Sequence, residues 1–152
     1  MEATDEGLLV QREVQIQASP ETVWGFLVDP DKVTRWMGLT AQLEARPGGV
    51  YRLEVQAGHH VSGQFKVVER PRRLVLTWGW EHHGPDGILP GSTSVEFELI
   101  PAPPGTIVRL THRQLPNADA AANHRKGWQH YLARLAVVAA GGDAGPDRGI
   151  ED

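Results

Sequence analysis

DAAANHRKGWQHYLARLAVVAA, residues 119–140, is the stretch on which the fold turns. Alanine and leucine dominate it, and Trp128, Leu132, Leu135 and Ala139 recur at the three- and four-residue steps that gather side chains on one face of an α-helix. About twenty residues rising about 1.5 Å each make a rod on the order of 30 Å long, enough to cross a small domain. Gly141-Gly142 ends it. Such a rod needs an apolar surface to lie on, and the chain before it supplies one.

Upstream of the helix the period of the apolar residues is two. Val108, Leu110 and His112 alternate with Ile107, Arg109 and Thr111. Before the turn at 101–105, Val95, Phe97 and Leu99 share a face. Leu74, Leu76, Trp78 and Trp80 form another series, and Val61, Gly63, Phe65 and Val67 a third, opposite Ser62, Gln64 and Lys66. Tyr51, Leu53 and Val55 follow the turn Pro47-Gly48-Gly49, which Leu43 and Ala45 precede. Arg52, Glu54, Glu96, Glu98 and Arg109 take the opposite positions and are expected on a solvated outer face. Near the N-terminus, Leu8 to Gln17 reads as a half-buried strand, with Val10, Val14 and Ile16 among polar neighbours. Ser19-Pro20 then starts a short helix, to Leu27, that buries Val23, Trp24 and Leu27, and Asp29-Pro30 starts a second that ends at Trp36-Met37. The order is strand, two short helices, six strands, long helix. Short turns between successive strands make an antiparallel sheet with one wet face, and residues 119–140 are the only segment long enough to cover the other. The class is α+β, one domain over residues 8–141, with 1–7 and 142–152 expected as flexible tails.

A chain of 152 residues can bury a sizeable core unaided. Its 15 basic and 19 acidic residues are scattered, with no basic stripe to follow a phosphate backbone, so nucleic acid is not an expected partner. Without cysteine there is no disulfide framework, thiolate nucleophile or Cys-ligated zinc. Met1 to Gly7 lacks the order of a signal peptide and no later apolar run approaches membrane-spanning length, so the expected location is the cytoplasm, without membrane insertion. No Walker loop, GxSxG elbow, HExxH or GxGxxG occurs, and Ser62-Gly63 and Ser92-Thr93-Ser94 lack the surroundings of a nucleophile. His59-His60 and His82-His83 are adjacent pairs that strand geometry would point to opposite faces, and His124 and His130 are separated around a helix, so no metal or cofactor is expected.

Particular residues in this order resemble the START and birch-pollen-allergen-like (SRPBCC) superfamily, and within it the branch homologous to the activator of the heat-shock chaperone ATPase. They are residues 18–24 (ASPETVW), Asp29-Pro30 with Arg35-Trp36-Met37, residues 48–52 (GGVYR), residues 71–78 (PRRLVLTW), and Gly127-Trp128 with Leu132 and Leu135. The resemblance implies a helix-grip fold: a seven-stranded antiparallel sheet curved around the long C-terminal helix, with a cavity opening near the two short helices. Similar proteins include lipid carriers, cyclases and aromatases, chaperone activators that resemble this chain in one of their two domains, and enediyne resistance proteins that are cleaved in place of the producer's targets.

The residues expected to line that cavity are Trp36, Met37, Tyr51, Leu53, Phe65, Leu76, Trp78, Phe97, Leu110, His112 and Trp128, the same side chains that could instead fill the core. His112 is the polar member of an inward series. It could orient a ligand, serve as acid or base with Tyr51 as partner, or be satisfied within the core. The leading expectation is a non-enzymatic binder, a monomer or weak homodimer, for a small hydrophobic or aromatic molecule such as a polyketide-like metabolite or lipid. The alternatives are a cyclase or aromatase in the same cavity, a self-sacrificing resistance protein cleaved near Gly84, Gly87 or Gly91, and a chaperone ATPase activator.

Overall fold

Each helix begins at a capping side chain. The computed structural model describes residues 8–82 and 88–147. Strand β1 (Val10–Ile16) leads to α1 (Pro20–Val28), where the Ser19 hydroxyl accepts the Thr22 N–H at 3.2 Å and Pro20 fills the first turn. The Asp29 carboxylate accepts the Asp31 N–H at 2.9 Å to start α2 (Pro30–Val33). This helix is shorter than its sequence suggested. Backbone bonds from the Trp36 and Met37 N–H groups to the Val33 carbonyl continue it as turns that carry both side chains into the core, each 1% exposed.

Six strands follow: β2 (Thr40–Leu43), β3 (Val50–Gln56), β4 (His59–Glu69), β5 (Arg73–Trp80), β6 (Thr93–Ala102) and β7 (Gly105–Arg113). They join β1 in one seven-stranded antiparallel sheet of order β1-β7-β6-β5-β4-β3-β2. Helix α3 (Ala118–Ala139) opens with the Asn117 side chain accepting the Ala120 N–H at 2.9 Å, and packs back against β1. This is the helix-grip arrangement. Among the described residues no helix is long and apolar enough to cross a membrane.

The inward series agree with the structure at nearly every position. Leu74, Leu76 and Trp78 of β5, Val95, Phe97 and Leu99 of β6, and Val108, Leu110 and His112 of β7 are all buried, facing Trp128, Leu132, Leu135 and Ala139 of α3. One series slips. The register of β4 shifts between Phe65 and Val67, a bulge that adds a residue to the strand, so Val68 rather than Val67 packs against the core. On the outer face, Glu96 is not solvated as expected. Arg73 and Arg113 donate to its two oxygens at 2.6 and 2.7 Å and leave it 7% exposed. Burial pushes its carboxyl up, but the two guanidinium groups outweigh this and hold it below the ordinary carboxylate value.

The Asn117 cap satisfies one of the four unpaired N–H groups at the start of α3. Asn117→Ala is expected to cost about 1 kcal/mol of unfolding free energy. Urea titration measures this, and α3 should keep its far-ultraviolet signature.

Candidate functional site

Where α3 meets β5, large rings fill the interior. Trp78 of β5 and Trp128 of α3 lie with ring centroids 5.0 Å apart, Phe97 meets Trp128 edge-on at 6.1 Å, and Tyr51 touches Phe65 at 5.6 Å and Trp78 at 6.2 Å. A hydrogen-bonded chain threads these rings. The Trp128 indole N–H donates to His112 Nδ1 at 3.0 Å, which places the imidazole proton on Nε2. That N–H meets the Thr93 hydroxyl at 2.8 Å, and the hydroxyl donates to the Trp78 carbonyl at 2.6 Å. Both nitrogens of His112 are therefore engaged by the protein itself. The side chain is wholly buried, and burial, followed by the neighbouring His124 ring at 4.9 Å, holds its pKa well below the ordinary value. His112 is neutral throughout the physiological range.

Beside this packed centre a cavity of about 170 Å³ opens between α3 and the end of the sheet that carries the β3–β4 hairpin. It is lined by Met37, Val55, Gln56, His59, Trp78, Trp80, Asn123, His124, Gly127, Trp128 and Tyr131. An apolar cavity of about 150 Å³ accepts benzene, whereas drug-sized ligands take roughly 300–1,000 Å³. The space therefore suits a guest of one ring.

Of the side chains expected to line a cavity, the structure brings Met37, Trp78 and Trp128 to this one. Trp36, Tyr51, Leu53, Phe65, Leu76, Phe97, Leu110 and His112 lie elsewhere, buried in the core. Trp36 is held there by its indole N–H, which donates to the Phe26 carbonyl at 2.8 Å. Burial pushes the Tyr51 hydroxyl pKa up, away from values useful for proton exchange near neutrality. The sequence reading missed Val55 and Trp80, although they continue the Tyr51–Leu53 and Leu76–Trp78 series by one step. It also missed His124 and Tyr131, four and three residues from Trp128, and Gly127, three and four residues from those two. Gln56 and His59, at the hairpin tip, carried no periodic signal. His83, Gly84 and Gly87 lie outside the described residues, while Gly91 sits before β6 at φ +83°.

Two polar atoms of the lining stand out. The indole N–H groups of Trp78 and Trp80 are buried, and neither has a hydrogen-bond partner among the described residues. A buried donor left unpaired costs about 1–3 kcal/mol, which makes such groups rare in native interiors.

One wall is tied down by the segment after α3. Residues 142–147, expected as part of a flexible tail, are held by two charged side chains. Arg134 donates to the Trp36 carbonyl at 2.9 Å and to the Ala144 and Gly145 carbonyls at 2.9 and 2.8 Å. The Asp147 carboxylate, 1% exposed, accepts the Gly38 N–H at 2.7 Å and the Tyr131 hydroxyl at 3.2 Å. Gly38 has φ +87°, and a Cβ there would come within 2.9 Å of the Glu54 carbonyl oxygen, so glycine is required at this junction. Met37 and Tyr131, both in the lining, are thereby joined across the cavity's edge. Burial, then the Asp147 charge, pushes the Tyr131 hydroxyl pKa up.

Comparison with known proteins gives this architecture relatives. Residues 17–140 match the family described as Activator of Hsp90 ATPase homolog 1-like protein. An AHSA1-like protein from Rhizobium etli is 41% identical, with 95% of this chain and 89% of that one covered and a TM-score of 0.72. DynU16, a putative protein in the dynemicin biosynthetic locus, is similar in fold at 22% identity, with 91% of this chain and 50% of that one covered and a TM-score of 0.77. The Aha1 dimer from Colwellia psychrerythraea is similar in fold at 20% identity, covering 89% and 98%, with a TM-score of 0.75. No curated protein matches the sequence.

Two outcomes are expected from this geometry. Because the folded pKa of His112 is depressed, the unfolded chain binds more protons below about pH 6.5, and the stability that His112 contributes falls as pH drops through that value. The stability gap between wild type and His112→Gln should thus narrow by up to about 1.4 kcal/mol per pH unit below pH 6.5, as read from denaturant unfolding across pH. Arg134→Ala should release residues 144–147, raising amide hydrogen exchange at Gly145 and Asp147 and at Gly38, while the exchange of β6 and β7 stays unchanged.

Proposed function

We propose a small-molecule binding role for this chain, which belongs to the Activator of Hsp90 ATPase homolog 1-like family. The observation that carries the reading is the cavity beside Trp78, Trp80 and Trp128: about 170 Å³, bounded by aromatic and aliphatic side chains together with Gln56, His59, Asn123 and His124, at the junction of sheet and long helix. A guest of matching size replaces water in this space with close contacts to the lining atoms. Its apolar surface leaves water at a gain of about 25 cal/mol per Å² before ordering costs.

The dimensions favour a compact aromatic or alicyclic molecule over a long lipid or a fused polyketide, which would need α3 or the 144–147 segment to move away. A cyclase or aromatase working through His112 is less well supported, since neither ring nitrogen is open to a substrate. The likeness to the protein from the dynemicin locus concerns the fold, and no described residue adds a sacrificial site to it.

The test is a set of guests graded by size against the purified protein. Single-ring aromatics at tenfold their dissociation constant should raise the melting temperature by about 3 °C or more, and should perturb tryptophan emission because three indoles border the cavity. Four-ring compounds of similar polarity should do neither. If no single-ring compound shifts either signal near its solubility limit, the binding role fails.

A further inference from the structure

Four of the five tryptophans divide into two kinds. Trp36 and Trp128 give their indole N–H groups to acceptors within the chain, Phe26 O and His112 Nδ1. Trp78 and Trp80 have no acceptor among the described residues, and both border the cavity. They stand two residues apart on β5, hence on one face of the strand, with ring centroids 6.2 Å apart and planes at 83°. Trp78 is 3% exposed, and its N–H is buried. An indole N–H is a donor only. The pair therefore selects for acceptors and offers nothing to a ligand's own donors.

Charge narrows the choice further. Among the described residues the lining holds no Lys, Arg, Asp or Glu, its remaining polar side chains being Gln56, His59, Asn123, His124 and Tyr131. A carboxylate or phosphate would enter without a fixed countercharge and would lose its hydration. A neutral carbonyl oxygen avoids that loss, and its two lone pairs can accept from one or both indoles.

Building on the binding role above, we infer that the ligand is a neutral one-ring molecule bearing a carbonyl-type acceptor oxygen, received by the indole N–H groups of Trp78 and Trp80. The apolar frame of the guest fills the space against Met37, Val55 and Trp128, and the oxygen satisfies donors that the fold leaves unmatched.

The experiment compares acetophenone with α-methylstyrene, in which a CH2 group replaces the carbonyl oxygen and the shape is kept, and includes benzoate as a charged third probe. Affinities come from thermal shift and fluorescence titration, and the indole N–H signals from 1H–15N NMR of the full chain. Acetophenone should bind on the order of tenfold tighter than α-methylstyrene. It should move the Trp78 and Trp80 indole protons downfield while those of Trp36 and Trp128 hold still. Trp80→Phe should erase much of that preference and retain α-methylstyrene binding. Trp78→Phe should do the same, and the wild-type NMR readout stands even if that variant folds poorly. Equal affinity for the two isosteres without downfield movement overturns the acceptor requirement and leaves the binding role intact. Benzoate binding as tightly as acetophenone overturns the requirement for a neutral guest. If none of the three binds, the binding role falls as well.

Discussion

The structure depends on one buried polar chain, from the Trp128 indole through His112 and Thr93 to the Trp78 carbonyl. It ties the long helix to β5, β6 and β7 through the interior. Apolar contact alone would tolerate small rotations of α3, because Leu and Ala side chains pack almost equally well over a few degrees. Three directional bonds in a low-dielectric interior do not. Each also carries a penalty if broken, since a buried donor or acceptor without its partner costs about 1–3 kcal/mol. Trp128 consequently points its ring at Trp78 and Phe97, and the face of α3 bearing His124, Gly127 and Tyr131 falls beside the β3–β4 hairpin.

The cavity follows from that placement. The rings of Trp78 and Trp128 seal the centre of the sheet, so the space left by the curvature of the strands lies toward the hairpin end and not beneath the middle of the helix. The Arg134 and Asp147 contacts close the edge by fastening the turn that carries Met37 to α3. Guanidinium bonds to three backbone carbonyls and a buried carboxylate bridging a backbone N–H to a phenol make this closure specific, where an apolar tail would only rest on the surface.

The fold was legible because it is written in period. Alternation at two residues, turn residues at regular intervals and one helical period at the end leave few architectures in which every apolar face is covered. Misreadings arose where one residue changes phase, as at the β4 bulge that exchanges Val67 for Val68, or where charged groups bury one another, as Arg73 and Arg113 do around Glu96. The candidate site was less legible for a related reason. Periodicity reports which face of a strand points inward but not where along the strand packing stops. Tyr51, Leu53 and Val55 share one signal, yet only Val55 reaches the cavity. His112 drew attention as a polar residue in an apolar series, and nothing in that series shows that Trp128 and Thr93 occupy both of its nitrogens.

Trp78 is where the two halves of the molecule meet. Its carbonyl ends the polar chain that positions α3, its ring packs on Trp128, and its indole N–H has no partner among the described residues. A phenylalanine would supply a comparable ring contact without an unmatched donor, and the carbonyl is backbone whatever the side chain. Packing and the polar chain therefore do not account for an indole at this position. The same holds more strongly for Trp80, which lies outside the polar chain and is only partly buried, yet places a second unmatched donor on the same face of β5. Two donors kept at a cost that folding does not require are best explained by something that enters the cavity and accepts them.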